Sequence, residues 1–256
     1  MQLFRKIPTK NYLALLIAGL LLLVLGAFTP YKINEKNWPL AISTIATKAS
    51  KNIAELPELM AEKANLYDSL HLESFGLDRE VFELALKGMS KLMESNQIHT
   101  NILSIADFSK PSTVKRLFVI DLDHAALLFN TWVAHGRNSG KETAQNFSNK
   151  PSSNKSSLGF YVTGEPYQGS NGYSLKLFGM EQGFNSNAFK RAIVIHGAGY
   201  VNPTLIESQG FIGRSQGCPA VLPELTKPLI NTIKEGTCLF VYHPNPTYLS
   251  KSTLLK

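Results

Sequence analysis

The sequence predicts an α+β chain, in which an N-terminal apolar segment and a small helical region precede a β-rich domain. Three observations carry this. Residues 13–28 read LALLIAGLLLLVLGAF without a charge, residues 78–94 repeat apolar side chains at helical spacing, and beyond about residue 100 the apolar period falls to two. The expected boundaries are 1–30 for the apolar segment, 31–100 for a spacer and helical prologue, and 101–256 for the β-rich domain.

The apolar run follows Arg5, Lys6 and Lys10, and no acid precedes residue 30. A basic flank before such a run marks an export signal or a short uncleaved anchor. Leu25 lies at the −3 position for cleavage after Ala27, a poor match to the small residue preferred there, so cleaved signal and retained anchor both stay open. The basic side stays cytoplasmic and residues 31–256 are expected outside, in the periplasm or cell envelope.

Residues 31–56 are irregular, and from Pro57 the pattern turns helical. Leu59, Ala61, Leu66 and Leu70 give a loose stripe; Phe82, Ala85, Leu86, Met89, Leu92 and Met93 give a better one, opened by Asp78 as N-cap. Strands are expected at Ile102–Phe108, Leu117–Asp123, Ala126–Ala134, Leu158–Thr163, Tyr173–Phe178, Ala192–His196 and Thr237–Tyr242. The polar tract Asn146–Ser157 reads as a loop. One late helix presents Leu225, Leu229, Ile230 and Ile233 on a single face, with Pro228 in an early turn and Gly236 past its end.

Composition is that of a globular protein: 256 residues, 44% hydrophobic and 18% charged, which excludes collagen-like, disordered and disulfide-scaffold classes. The formal charge is +7, of which the amino-terminal flank supplies three, leaving +4. So mild a surplus suits anionic surroundings such as a wall polymer or membrane face, and no nucleic-acid partner is expected. Two cysteines exclude a structural zinc cage, no histidine pair has metal-ligand spacing, and neither metal nor organic cofactor is expected.

The chemistry concentrates between His196 and Cys218. Ala192–Ile195 is a continuous apolar run ending at His196, which places a titratable ring at a sheet rim. Five glycines follow in the 21 residues from Gly197 to Gly217, permitting tight turns and close approach of a substrate backbone. The stretch closes with Gly213-Arg214-Ser215-Gln216-Gly217-Cys218-Pro219. A thiol with an imidazole elsewhere in the chain is the minimum for a cysteine nucleophile. Pro219 has no N–H, so oxyanion donors must come from Cys218, Gly217 or Gln216. Arg214 has the fork to bind a carboxylate. Two other readings stand beside this one: a Cys218–Cys238 disulfide, and a non-catalytic wall-binding domain.

Residues 191–222, RAIVIHGAGYVNPTLIESQGFIGRSQGCPAVL, resemble the active-site segment of the murein L,D-transpeptidase catalytic-domain family, with His-Gly on one strand and Ser-x-Gly-Cys about twenty residues on. The resemblance extends upstream through Thr131–Arg137 and Ser156–Gly164 and covers about residues 100–245. It implies a sandwich-like, mostly-β catalytic domain with Cys218 as nucleophile and His196 as general base. Ser215 and Gly217 would shape the loop, and Arg214, Gln216, Gly197 and His135 would bind substrate or oxyanion. The implied reaction is acyl transfer from peptidoglycan stem peptides to a neighbouring amine, or to water in a carboxypeptidase. Many relatives carry a second histidine where this chain has Gln216, and an arginine after the cysteine where it has Pro219-Ala220.

Overall fold

Strand-forming runs of Val, Ile, Leu and Phe after residue 100 assemble into one eight-stranded sheet. The computed structural model describes residue 63 and residues 65–256. The apolar run 13–28, the spacer 31–56 and the start of the helical prologue, with Leu59 and Ala61 of its first stripe, lie outside the described residues. Among the described residues no helix is long and apolar enough to cross a membrane.

The strands are β1 (Ile102–Asp107), β2 (Leu117–Asp121), β3 (Ala126–Thr131), β4 (Gly159–Gly169), β5 (Gly172–Gly179), β6 (Val194–Gly197), β7 (Ala220–Val221) and β8 (Cys238–Tyr242). Their spatial order is β3-β2-β1-β8-β4-β5-β6-β7. The domain is mostly β with a few helices, as expected, and its strands form one continuous sheet. Its register shifts at Val119/Ile120 and at Thr163/Pro166, and such bulges add twist and curl. The curl brings the segment after β3 against β7, where Ala134 N–H donates to the Ala220 carbonyl at 2.8 Å.

The centre of the sheet is its most apolar part. Every residue of β8 is buried, and Phe160 of β4 pairs with Phe240 of β8, their rings stacked 4.1 Å apart. Three helices matter for this core and its edge: α1 (Leu66–Ser69), α2 (Arg79–Glu94) and, after a short α3 (Thr204–Gln209), α4 (Pro223–Ile233). Helix α2 buries Val81, Phe82, Ala85, Leu86, Met89 and Leu92 and packs on β1 and β8. Gly88 lets it sit directly on Phe160, since a Cβ there would lie 2.0 Å from that ring. Asp78 precedes α2 as expected but does not cap it; its carboxylate takes the Lys110 ammonium at 2.7 Å instead. Helix α4 packs on β6 and β5, starts at Pro223 and contains Pro228 in its interior rather than in an early turn. A last helix, α5 (Pro246–Lys251), hangs on Glu181, whose buried carboxylate accepts from Tyr248 Oη at 2.9 Å.

Two element boundaries depart from expectation in ways that bear on the site. β4 continues past Thr163 to Gly169, because the shift in register lets Pro166 sit in a strand without a ladder donor. It forms a long hairpin with β5, turning at Ser170-Asn171. β6 starts at Val194 rather than Ala192, because Ala192 has φ +54°, a left-handed conformation that breaks the strand.

Candidate active site

β6 ends at His196–Gly197, and its neighbour β7 starts at Ala220, paired with His196 in parallel register. By the same register Cys218, two residues ahead of β7, falls beside Val194, two residues before His196 on the neighbouring strand. Both side chains line one cavity of about 550 Å³.

His196 is buried, and its Nδ1 lies 2.9 Å from the Gly197 carbonyl. A carbonyl only accepts, so Nδ1 carries the proton and Nε2 keeps the lone pair. No hydrogen bond among the described residues uses Nε2. The backbone thus presets the tautomer that a general base requires.

Cys218 is 8% exposed, and its Sγ donates to the Ala192 carbonyl at 3.6 Å. Burial pushes the thiol pKa up, while the Val194 N–H and the Arg191 charge oppose that shift without cancelling it. The resting sulfur is therefore a neutral thiol, and no hydrogen bond joins it to His196. Such bonds are often long or misaligned in enzymes without substrate.

The loop ahead of Cys218 is held by one hydroxyl. Ser215 Oγ donates to the Cys218 carbonyl at 2.6 Å and accepts the Gly217 N–H at 3.0 Å. This commits the Gly217 N–H and removes it from the expected oxyanion donors. The N–H groups of Gln216 and Cys218 make no hydrogen bond among the described residues. Gly217 has φ +124°, and a Cβ there would sit 2.7 Å from the Lys155 carbonyl, so both conformation and space demand glycine.

The cavity is electropositive: Arg137, Arg191 and Arg214 line it, and no acidic side chain of the described residues does. Arg214 Nη1 donates to the carbonyls of Gly140 (3.0 Å) and Arg137 (3.2 Å), and the guanidinium lies 5.3 Å from the Phe211 ring centroid. Its other nitrogens have no partner among the described residues. Arg191 is spent on structure, donating to Ser148 O, Lys155 O, Ser153 Oγ and Ser157 Oγ and so tying loop 148–157 to the site.

Two expected contacts lie elsewhere. His135, expected at the substrate, is fully buried, bonded to Arg116 and Gly140, and does not line the cavity. Gly197 packs against α4, where a Cβ would lie 2.2 Å from Thr226 Oγ1, and lines a neighbouring pocket rather than the cavity. Gln216 is exposed at the cavity mouth. The disulfide reading is also corrected: Cys218 and Cys238 are both free, and Cys238 is fully buried in the central strand β8.

Sequence reasoning missed Arg137, Arg191, Tyr200 and the hairpin tip Ser170-Asn171 as lining residues. Burial and the nearby Cys218 push the Tyr200 hydroxyl up to about 12, so it stays a donor at neutral pH. The first two were legible only as basic residues inside the resembling blocks. The hairpin tip was hidden by Pro166, which argued against a strand reaching so far.

The family model for the L,D-transpeptidase catalytic domain matches residues 73–242, well over half of the chain. The chain belongs to this family. Among solved structures it is similar to an L,D-transpeptidase from Mycobacterium smegmatis, at 13% identity and a TM-score of 0.35, covering 56% of this chain and 59% of that one. It is also similar to one from Stackebrandtia nassauensis, at 14% and 0.33, covering 63% and 67%. L,D-transpeptidase 1 of Mycobacterium tuberculosis gives 11% and 0.32, covering 56% and 62%. The chain therefore spans about six tenths of the length of the two mycobacterial structures. No curated protein matches the chain.

Proposed function

We propose that this protein is an exported peptidoglycan L,D-transpeptidase that works by acyl transfer through a thioester on Cys218, with His196 as base. The observation that carries the reading is the convergence of Cys218 and His196, 22 residues apart, on one cavity lined by arginines and no acid. Stem peptides are rich in carboxylates, and such a cavity attracts them.

In the first half-reaction the thiol leaves the Ala192 carbonyl and gives its proton to His196 Nε2. The sulfur attacks the carbonyl carbon of the third, diamino-acid residue, and the oxyanion is received by the Gln216 and Cys218 N–H groups. Collapse breaks the C–N bond, and His196 returns its proton to the departing D-alanine amine. Arg214 and Arg137 hold the terminal carboxylate of that leaving group. In the second half-reaction an amine of a neighbouring stem gives a proton to His196 and attacks the thioester. The new amide forms and the Cys218 thiolate leaves, recovering its proton from His196. With water as acceptor the same steps give an L,D-carboxypeptidase.

A non-catalytic wall-binding protein is the second reading, favoured by the thiol's bond to Ala192 rather than to His196 and by Gln216 in the loop. Disaccharide-tetrapeptide substrate separates the two. The proposal expects D-alanine release with cross-linked dimer, lost in Cys218→Ala and reduced ~10²–10⁴-fold in His196→Gln. Binding without turnover by the parent protein would establish the second reading.

A further inference from the structure

A fully buried arginine lies outside the cavity. Arg116 precedes β2, has no exposed surface and forms no salt bridge among the described residues. Its guanidinium is satisfied by neutral acceptors: the Val133 carbonyl at 2.9 and 3.1 Å, the Lys110 carbonyl at 2.7 Å and His135 Nδ1 at 2.8 Å. The buried Asp107 carboxylate acts on it from beyond salt-bridge reach and favours the charge, but burial outweighs that, and a buried cation bonded only to neutral acceptors is expensive. Its retention needs a reason beyond packing.

That reason lies one bond further on. Because Arg116 donates to Nδ1, His135 is neutral, with its proton on Nε2; burial and the Arg116 charge hold its pKa down to about 3. Nε2–H points to the Gly140 carbonyl at 3.4 Å, the same oxygen that receives Arg214 Nη1 at 3.0 Å. The His135 carbonyl accepts the Ser215 N–H at 2.9 Å, and the Ser215 carbonyl accepts the Arg137 N–H at 2.8 Å. Ser215 Oγ in turn holds the Cys218 carbonyl at 2.6 Å. One guanidinium thus fixes segment 133–137, from which separate hydrogen-bond branches reach the nucleophile loop and the carboxylate-binding arginine.

We infer that Arg116 and His135 are positioning residues, touching no substrate, that hold the Cys218 loop and Arg214 in register with His196. The catalytic consequence rests on the function proposed above; the structural one does not. The two cysteines allow a clean test in the full-length chain, because Cys238 is fully buried in β8 and reacts only on unfolding, while Cys218 lines the cavity. Arg116→Lys keeps the charge but loses the fork. His135→Phe removes the acceptor for Arg116, whereas His135→Asn restores an acceptor oxygen near the place of Nδ1.

The expected result for Arg116→Lys and His135→Phe is about fivefold or greater acceleration of Cys218 alkylation by neutral iodoacetamide, with Cys238 still protected. Acylation by a carbapenem should fall about tenfold or more in the same two variants, and His135→Asn should return both rates toward the parent. If Arg116→Lys does not fold, the His135 pair decides. Parent-like rates in both disrupting variants, or Cys238 reacting in step with Cys218, would overturn the inference and leave a purely structural role. A parent protein that is neither acylated nor active on stems would instead sink the proposed function, and the alkylation comparison would still decide the positioning role.

Discussion

His196 and Ala220 face each other in parallel register across β6 and β7, and this pairing sets Cys218, two residues ahead of Ala220, beside Val194 at the start of the strand that carries the imidazole. The proposed nucleophile and base, 22 residues apart in sequence, are thereby brought to one sheet edge by two short strands. The connection between them, including α3, is free to vary without moving either strand end.

The Ser215 hydroxyl is the local lock on this arrangement. Ser215→Ala leaves the Gly217 N–H and one Cys218 carbonyl bond unmade in a buried loop. The expected loss is about 1–3 kcal/mol of stability by denaturant titration. Carbapenem acylation should slow about tenfold at temperatures where the variant remains folded. Unchanged stability together with an unchanged rate would mean the hydroxyl holds nothing.

Gly217 tests the same loop from the backbone side. Gly217→Ala forces a side chain into φ +124° and against the Lys155 carbonyl. Stability should fall by about 1–3 kcal/mol or more. Circular dichroism melts of parent and variant check this, and equal midpoints would show that the loop relaxes freely.

Charge in the cavity predicts a salt-sensitive substrate preference. Arg137→Ala and Arg214→Ala should each raise KM for tetrapeptide about three- to tenfold with a smaller change in kcat. The penalty should shrink in ~0.5 M salt, where screening already weakens the parent. Substrates whose stem carboxylates are amidated should lose the difference between parent and variants. A KM indifferent to both arginines would move the carboxylate site elsewhere.

Burial of Cys218 fixes the direction of its pH response. Its pKa is raised, so the thiol stays protonated through neutral pH, and direct alkylation should reach half its plateau above the ordinary value of about 8.5. The stability consequence follows with a definite sign. The unfolded thiol ionises first as pH climbs past about 8.5, so the folded state loses stability from there up toward its own higher pKa. Rates of carbamidomethylation followed by mass from pH 6 to 10 check the direction, and a midpoint below 8 would contradict it.

Much of this was legible in the residues, for physical reasons. Helix α2 announced itself because Phe82, Ala85, Leu86, Met89 and Leu92 fall on one buried stripe. Strands β1, β2 and β8 were visible where the apolar period falls to two, although the sheet buries nearly every one of their residues. Cys218 and His196 stood out because polar chemistry beside glycines has no packing explanation. The single curled sheet was hidden, since its closure rests on the Ala134–Ala220 bridge between segments with no period of their own. His135 was misplaced at the substrate because nothing in Ala134-His135-Gly136 shows that Arg116, nineteen residues earlier, will bury its ring. Glycines told a mixed story: Gly217 carries the strain of the loop, whereas Gly197 exists to let α4 approach β6.

The most direct measurement is the intact mass of the protein after incubation with a carbapenem, followed by peptide mapping. The account predicts one adduct per chain, on Cys218, absent from a folded Cys218→Ala variant and greatly slowed in His196→Gln. An adduct that persists in Cys218→Ala, or a folded parent whose Cys218 stays unmodified while its thiol remains titratable, would contradict it.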